Sequence, residues 1–158
     1  MTDHTRALDA RCVDAWLTSR DARNTDNAAL SALLLAGLRA IWQRARPSLG
    51  DVTLTAIVQR AIHTCERRHA ELAQIGLRVA DAETIELTNP PPPRVDLAPA
   101  VTCVLVEVLH VLGELTAGAL TPALHAALAS AAEESPALVL LRSSPNRRDG
   151  RDDERGTA

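Results

Sequence analysis

The sequence predicts a helix-rich α+β fold: about five helices with a small, minor β-sheet, ordered as a helical hairpin, a compact α/β part and a disordered C-terminal tail. Three observations lead there. Leu, Ile, Val and Ala recur at three- and four-residue intervals over most of the chain, the period of a helix face. One short stretch, residues 77–87, alternates apolar and polar residues instead, as half-buried strands do. The third is the make-up of the interior: 46 % of residues are hydrophobic, yet there is no Phe or Tyr, and only Trp16 and Trp42 are aromatic. An aliphatic core of this kind suits helix packing. At 158 residues the chain is about one domain long.

In chain order, residues 5–19 place Leu8, Cys12 and Trp16 four apart, one face of a first helix. Thr25, Asp26 and Asn27 offer capping side chains for a second, over 28–45, whose stripe is Leu30, Leu33, Leu34, Leu38, Ile41 and Trp42, widened by Leu35. Pro47 and Gly50 are read as its stop. A third helix is expected over 52–75, interrupted on its apolar face by Arg67, Arg68 and His69 and ended by Gly76. Residues 77–79 and 84–87 read as a hairpin, and Pro90 to Pro93 as a stiff extended connector. Asp96 and Pro99 open a fourth helix, the most apolar segment, through Val101, Val104, Leu105, Val108, Leu109 and Leu112. Thr121 and Pro122 open a fifth, to about Glu134, and Ala137 to Leu141 could add a strand. The expected organisation is one compact domain over 1–141, divided into a hairpin (5–46) and a helix/strand-pair/helix part (51–141), with a tail at 142–158 that lacks core-forming residues.

Composition narrows the function classes. A net charge of −3 argues against a nucleic-acid binder, which shows a basic face or stripe. No unbroken apolar run reaches the ~18 residues of a membrane span, and the polar start Met1-Thr2-Asp3-His4 does not read as a secretory leader. The three cysteines, Cys12, Cys65 and Cys103, are odd in number and follow no CxxC spacing, which favours reduced thiols and a cytoplasmic location.

Two constellations stand out. Cys65 and His69 are four apart on the third helix; Cys103, Glu107, His110 and Glu114 follow at four, three and four on the fourth. If the two helices were neighbours, Cys65, His69, Cys103 and His110 could converge on a metal such as zinc. The plainer reading makes the cysteines packing residues and the charged line a solvated edge. The second constellation is the leucine arc Leu30, Leu34, Leu35, Leu38, Ile41 and Trp42, wider than a small domain needs and therefore a candidate interaction face. No GxSxG, GxxxxGK[ST] or GxGxxG occurs, so neither a catalytic residue nor a bound cofactor is expected.

The residues 51–58 (Asp51 through Val58), 75–79 (Ile75-Gly76-Leu77-Arg78-Val79) and 95–97, followed by 104–109, resemble the opening helix, first strand and nucleotide-bearing helix of bacterial sensor histidine kinases. The resemblance spans about residues 30–141. It implies a dimerising hairpin before an ATPase-like part. No His-Glu or His-Asp phosphoacceptor lies on the hairpin, Glu107, Val111 and Gly113 stand in the neighbourhood where that family carries asparagines, and the glycine loop is missing. The implied function is thus a non-catalytic cytoplasmic interaction or regulatory module in signal transduction, a homodimer with a protein partner and without nucleic-acid or membrane contacts. The alternative is a metal-binding protein or enzyme centred on Cys65, His69, Cys103 and His110.

Overall fold

The computed structural model describes residues 2–22, 25–81 and 84–131. They form α1 (Thr2–Ser19), α2 (Asn27–Glu66), α3 (Ala70–Ile75), β1 (Leu77–Asp81), β2 (Thr84–Leu87), α4 (Ala98–Leu115) and α5 (Thr121–Ser130). The fold is helix-rich, with five helices and one two-stranded antiparallel sheet among the described residues. The suggested strand at 137–141 and the tail at 142–158 lie outside those residues.

The central element is α4. Its Val101, Val104, Leu105, Val108 and Leu112 are fully buried, and α1, α2 and α5 all pack against it. By length and composition α4 is apolar enough to cross a membrane, although Glu107, His110 and Glu114 break its apolar run; more than half of it is buried inside this chain. Burial of each such Val or Leu side chain contributes about 1.5–3 kcal/mol. The chief neighbours of α1 are α4 and α5, and those of α2 are α4, α5 and the sheet. The expected α1–α2 hairpin is therefore not a packed unit of its own: α4 and α5 take the place that each helix would have offered the other.

α2 is two helical halves joined at a sharp kink, where the sequence places a stop: Gly50, three residues after Pro47, takes a non-helical conformation (φ 75°, ψ 164°). Asp51 holds the bend, accepting a hydrogen bond from Trp42 Nε1 at 3.3 Å and pairing with Arg46 Nε at 3.1 Å. Asp26 caps α2 as its position suggests, its Oδ1 accepting from Ala29 N at 2.9 Å. Arg67, Arg68 and His69 make the turn that splits off α3.

Gly76 closes α3 in the left-handed conformation (φ 61°) and leads into β1, which pairs with β2 in the register Leu77↔Leu87, Arg78↔Glu86 and Val79↔Ile85. Inward Leu77, Val79 and Ile85 are buried, and outward Arg78 and Glu86 pair across the strands. The proline connector is stapled: Asn27 Nδ2 donates to the carbonyls of Pro92 and Val95, both at 2.6 Å. At α4, Leu97 occupies the cap position, and Asp96 Oδ1 accepts from Ala98 N at 3.1 Å. At α5 the chain enters through Leu120, and Thr121 does not cap; the helix ends at Ser130, short of Glu134.

The turn at Gly76 yields a direct expectation. A Cβ there would stand 1.8 Å from Thr88 Oγ1, on a backbone that L side chains rarely adopt. Gly76→Ala should cost at least about 2 kcal/mol in urea unfolding, combining strain with a clash. A loss under about 0.5 kcal/mol, the scale of an ordinary surface change, would mean that Thr88 moves aside and the turn does not depend on glycine.

Candidate functional site

The face of α4 that carries Cys103, Glu107, His110 and Glu114 is not a solvated edge throughout. α1 crosses it. Arg6 Nη2 donates to Glu107 Oε2 at 2.5 Å, and Asp9, only 1 % exposed, lies against His110. From α5, His125 Nε2 donates to Asp9 Oδ1 at 2.7 Å. His110 Nε2 is 3.5 Å from Glu114 Oε1, while its Nδ1 stands 3.9 Å from Asp9 Oδ2. That last separation is too long for a hydrogen bond, and neither atom has another partner. The arrangement is a clamp: one buried carboxylate on α1 is bonded by His125 of α5 and stands beside, without bonding, His110 of α4.

Asp9 and His125 did not stand out in the sequence, although a signal existed. The face read from Leu8, Cys12 and Trp16 is rotated from the real one. Leu8 is 42 % exposed, and the buried residues of α1 are Asp9, Val13, Trp16 and Leu17. A carboxylate at i, with apolar residues at i+4, i+7 and i+8, marks a buried acid that needs a partner.

The four proposed metal ligands separate into different places. Cys65 and Cys103 meet, with their sulfurs 2.6 Å apart. His69, by contrast, starts α3 with Nδ1 3.4 Å from Glu71, and His110 belongs to the clamp. Among the described residues no group of three or more His, Cys, Asp or Glu side chains could hold one ion. The reason is axial: Cys103 and His110 share one face of α4 but stand two turns, about 10 Å, apart along it, Cys103 beside Cys65 and His110 beside Asp9.

The leucine arc is also placed inside. Leu30, Leu34, Leu38, Ile41 and Trp42 are buried in the chain's own core, and Leu35 is half-buried against it. α4, α5 and the sheet cover the arc that a second chain was expected to cover.

Among the openings the bundle leaves is a groove of about 490 Å³ between α2 and α5. Ala36, Ala40, Ala127 and Ala131 line it with small side chains, and Arg39, Gln43, Arg44 and Ser130 supply its polar part. Its far end is fixed by Trp16 Nε1 and Arg20 Nη2, which both donate to the carbonyl of Ala131, at 3.3 and 2.5 Å.

No known protein family, curated protein or solved structure matches the chain.

Burial raises the Cys65 thiol well above its ordinary value of 9.0, with Cys103 and Glu107 adding to the effect and Arg68 opposing it; burial and then Asp9 raise Cys12. Because the chain contains neither Lys nor Tyr, its thiols are the side chains that ordinarily titrate between about pH 8 and 11. A raised folded value gives stability that is complete below the unfolded value and declines as pH rises above it. The unfolding free energy of reduced protein should therefore fall above about pH 9, by up to about 1.4 kcal/mol per pH unit per thiol. Cys65→Ala should flatten that limb in urea titrations; an unchanged slope would remove Cys65 as its source.

The buried pair makes a second expectation. Asp9→Ala should destabilise by about 2–3 kcal/mol, because His125 loses its acceptor and a cavity opens beside His110. Exposed Asp3→Ala should stay within about 0.5 kcal/mol. Equal denaturation midpoints for the two variants would show that the Asp9–His125 bond contributes nothing.

Proposed function

We propose that the chain is a non-catalytic protein-interaction module of a regulatory kind, which takes an acidic helical segment of a partner protein into the groove between α2 and α5. The lining of that groove carries the reading. Alanines let another helix backbone approach closely, and interaxial distances shrink with the side chains at the contact. Arg44 offers planar donors suited to carboxylates. From Ala36 to Arg44 the groove follows α2 for about 12 Å, a little over two turns of a bound helix. This is the helix-in-groove mode of recognition with polar selectivity at the edge.

The resemblance of residues 30–141 to a sensor-kinase core supports a place in signal transduction. The lack of its phosphoacceptor and glycine loop favours action by contact over phosphoryl transfer. A second copy of the chain is the rival occupant of the groove, since the leucines expected to pair two copies are internal.

The test uses a fluorescent helical peptide of about four turns, with Glu on one face and Ala and Leu on the other. Saturable binding with Kd on the order of 10–100 μM is expected. Arg44→Glu, and Ala40→Trp, which fills the groove, should each weaken it at least about tenfold, while exposed Arg60→Glu on the other half of α2 should not. No binding at about 1 mM, or equal binding by all four proteins, would reject the groove as a docking site. Self-association in sedimentation that Ala40→Trp abolishes would give the groove to a second copy instead.

A further inference from the structure

The clamp and the groove leave one reactive pair unused. Cys65 lies in the last turn of α2 and Cys103 in the second turn of α4, and their sulfurs are 2.6 Å apart while both remain free thiols. Cys65 is fully buried; Cys103 is partly open to solvent. The third thiol, Cys12, belongs to α1 beside Asp9. Two thiols in contact, one reachable and one sheltered, are the components of a disulfide that forms by attack and resolution.

We infer that Cys65 and Cys103 are a redox modification site, at which a hydroperoxide converts the thiol pair into an intramolecular disulfide joining α2 to α4. The accessible Cys103, as thiolate, attacks one peroxide oxygen. An S–O bond forms, the O–O bond breaks, and the departing oxygen leaves as water when the oxidant is hydrogen peroxide. Cys65 then attacks the Cys103 sulfur of that sulfenic acid. The S–S bond forms, the S–O bond breaks, and the released hydroxide leaves as water with the proton that Cys65 gives up. Two thiols and one hydrogen peroxide become one disulfide and two waters, with two electrons passing from sulfur to oxygen. A dithiol reverses the step by thiol–disulfide exchange.

The order of roles follows from placement. Burial and the neighbouring Cys103 hold the Cys65 thiol in its protonated form, so it is the poorer first nucleophile and the natural resolving thiol. The bond would span positions 38 apart in sequence and enclose α3, both strands and the proline connector in one covalent loop. Loops of this length remove substantial freedom from the unfolded chain. Oxidation would thus tie the sheet-bearing segment to the helical core and leave the groove between α2 and α5 outside the loop.

The full-length reduced protein, exposed to a small excess of hydrogen peroxide, should lose two hydrogens by intact mass. Peptide mapping should show a Cys65–Cys103 link, and the thermal midpoint should rise by about 5–10 °C and return with dithiothreitol. Cys12→Ser should behave as the wild type, and Cys65→Ser and Cys103→Ser should not gain the shift. The mapping uses the unaltered protein, so poor folding of a variant does not decide the matter. Oxygen addition at Cys103 without a link, or a link through Cys12 within or between chains, would overturn the assignment. So would retention of stoichiometric zinc that shields both thiols from peroxide.

Discussion

Everything in this fold depends on enclosing α4 with aliphatic side chains and only two aromatic ones, Trp16 and Trp42. A helix whose Val and Leu residues are buried on several faces must be surrounded, and α1, α2 and α5 do this together. Aliphatic residues fill such a space only if the helices approach closely. Gly37 of α2 marks one tight approach: a Cβ there would meet Leu105, Leu128 and Trp16, from three different helices, at 3.1–3.2 Å. Close packing at that point sets where α5 can lie, and the position of α5 determines both the clamp on Asp9 and the width of the groove. The polar clamp costs desolvation and leaves one contact unmade, so its contribution is orientation more than gross stability.

The parts of the fold legible in the sequence were those with a local physical cause. Asp26 caps α2 because its carboxylate reaches an otherwise unpaired amide; Gly76 ends α3 because the turn needs a left-handed residue; residues 77–87 alternate because one side of the hairpin faces the core. The kink in α2 also has a local cause in Pro47 and Gly50; what the sequence does not show is the tertiary brace from Trp42 and Arg46 to Asp51 that sets the bend. The leucine arc misled for a related reason. A stripe too wide for one neighbour implies several neighbours, but periodicity does not say whether they come from the same chain.

The candidate site was legible only in pieces. Cys65 and Cys103 were picked out together and do meet, since both stand on the facing stripes of their helices. His69 falls beyond the end of α2, and His110 shares the direction of Cys103 but stands two turns further along α4, so neither reaches the thiol pair. Asp9 and His125 are 116 residues apart, and no local pattern links them. The groove is a gap between two elements, defined by what small residues fail to fill, and it has no motif at all.

The placement of α1 bears on how the chain comes off the ribosome. Its polar partners are Glu107 and His125, separated from Arg6 and Asp9 by 101 and 116 positions, and its apolar face rests on the same late helices. α1 is thus made well before α4 and α5, the helices on which it rests. Closing so long a span is entropically slower than forming local contacts, so Val13, Trp16 and Leu17 remain uncovered while α2 and the hairpin are already available to one another. During translation α1 therefore waits with an apolar face that only the later helices cover.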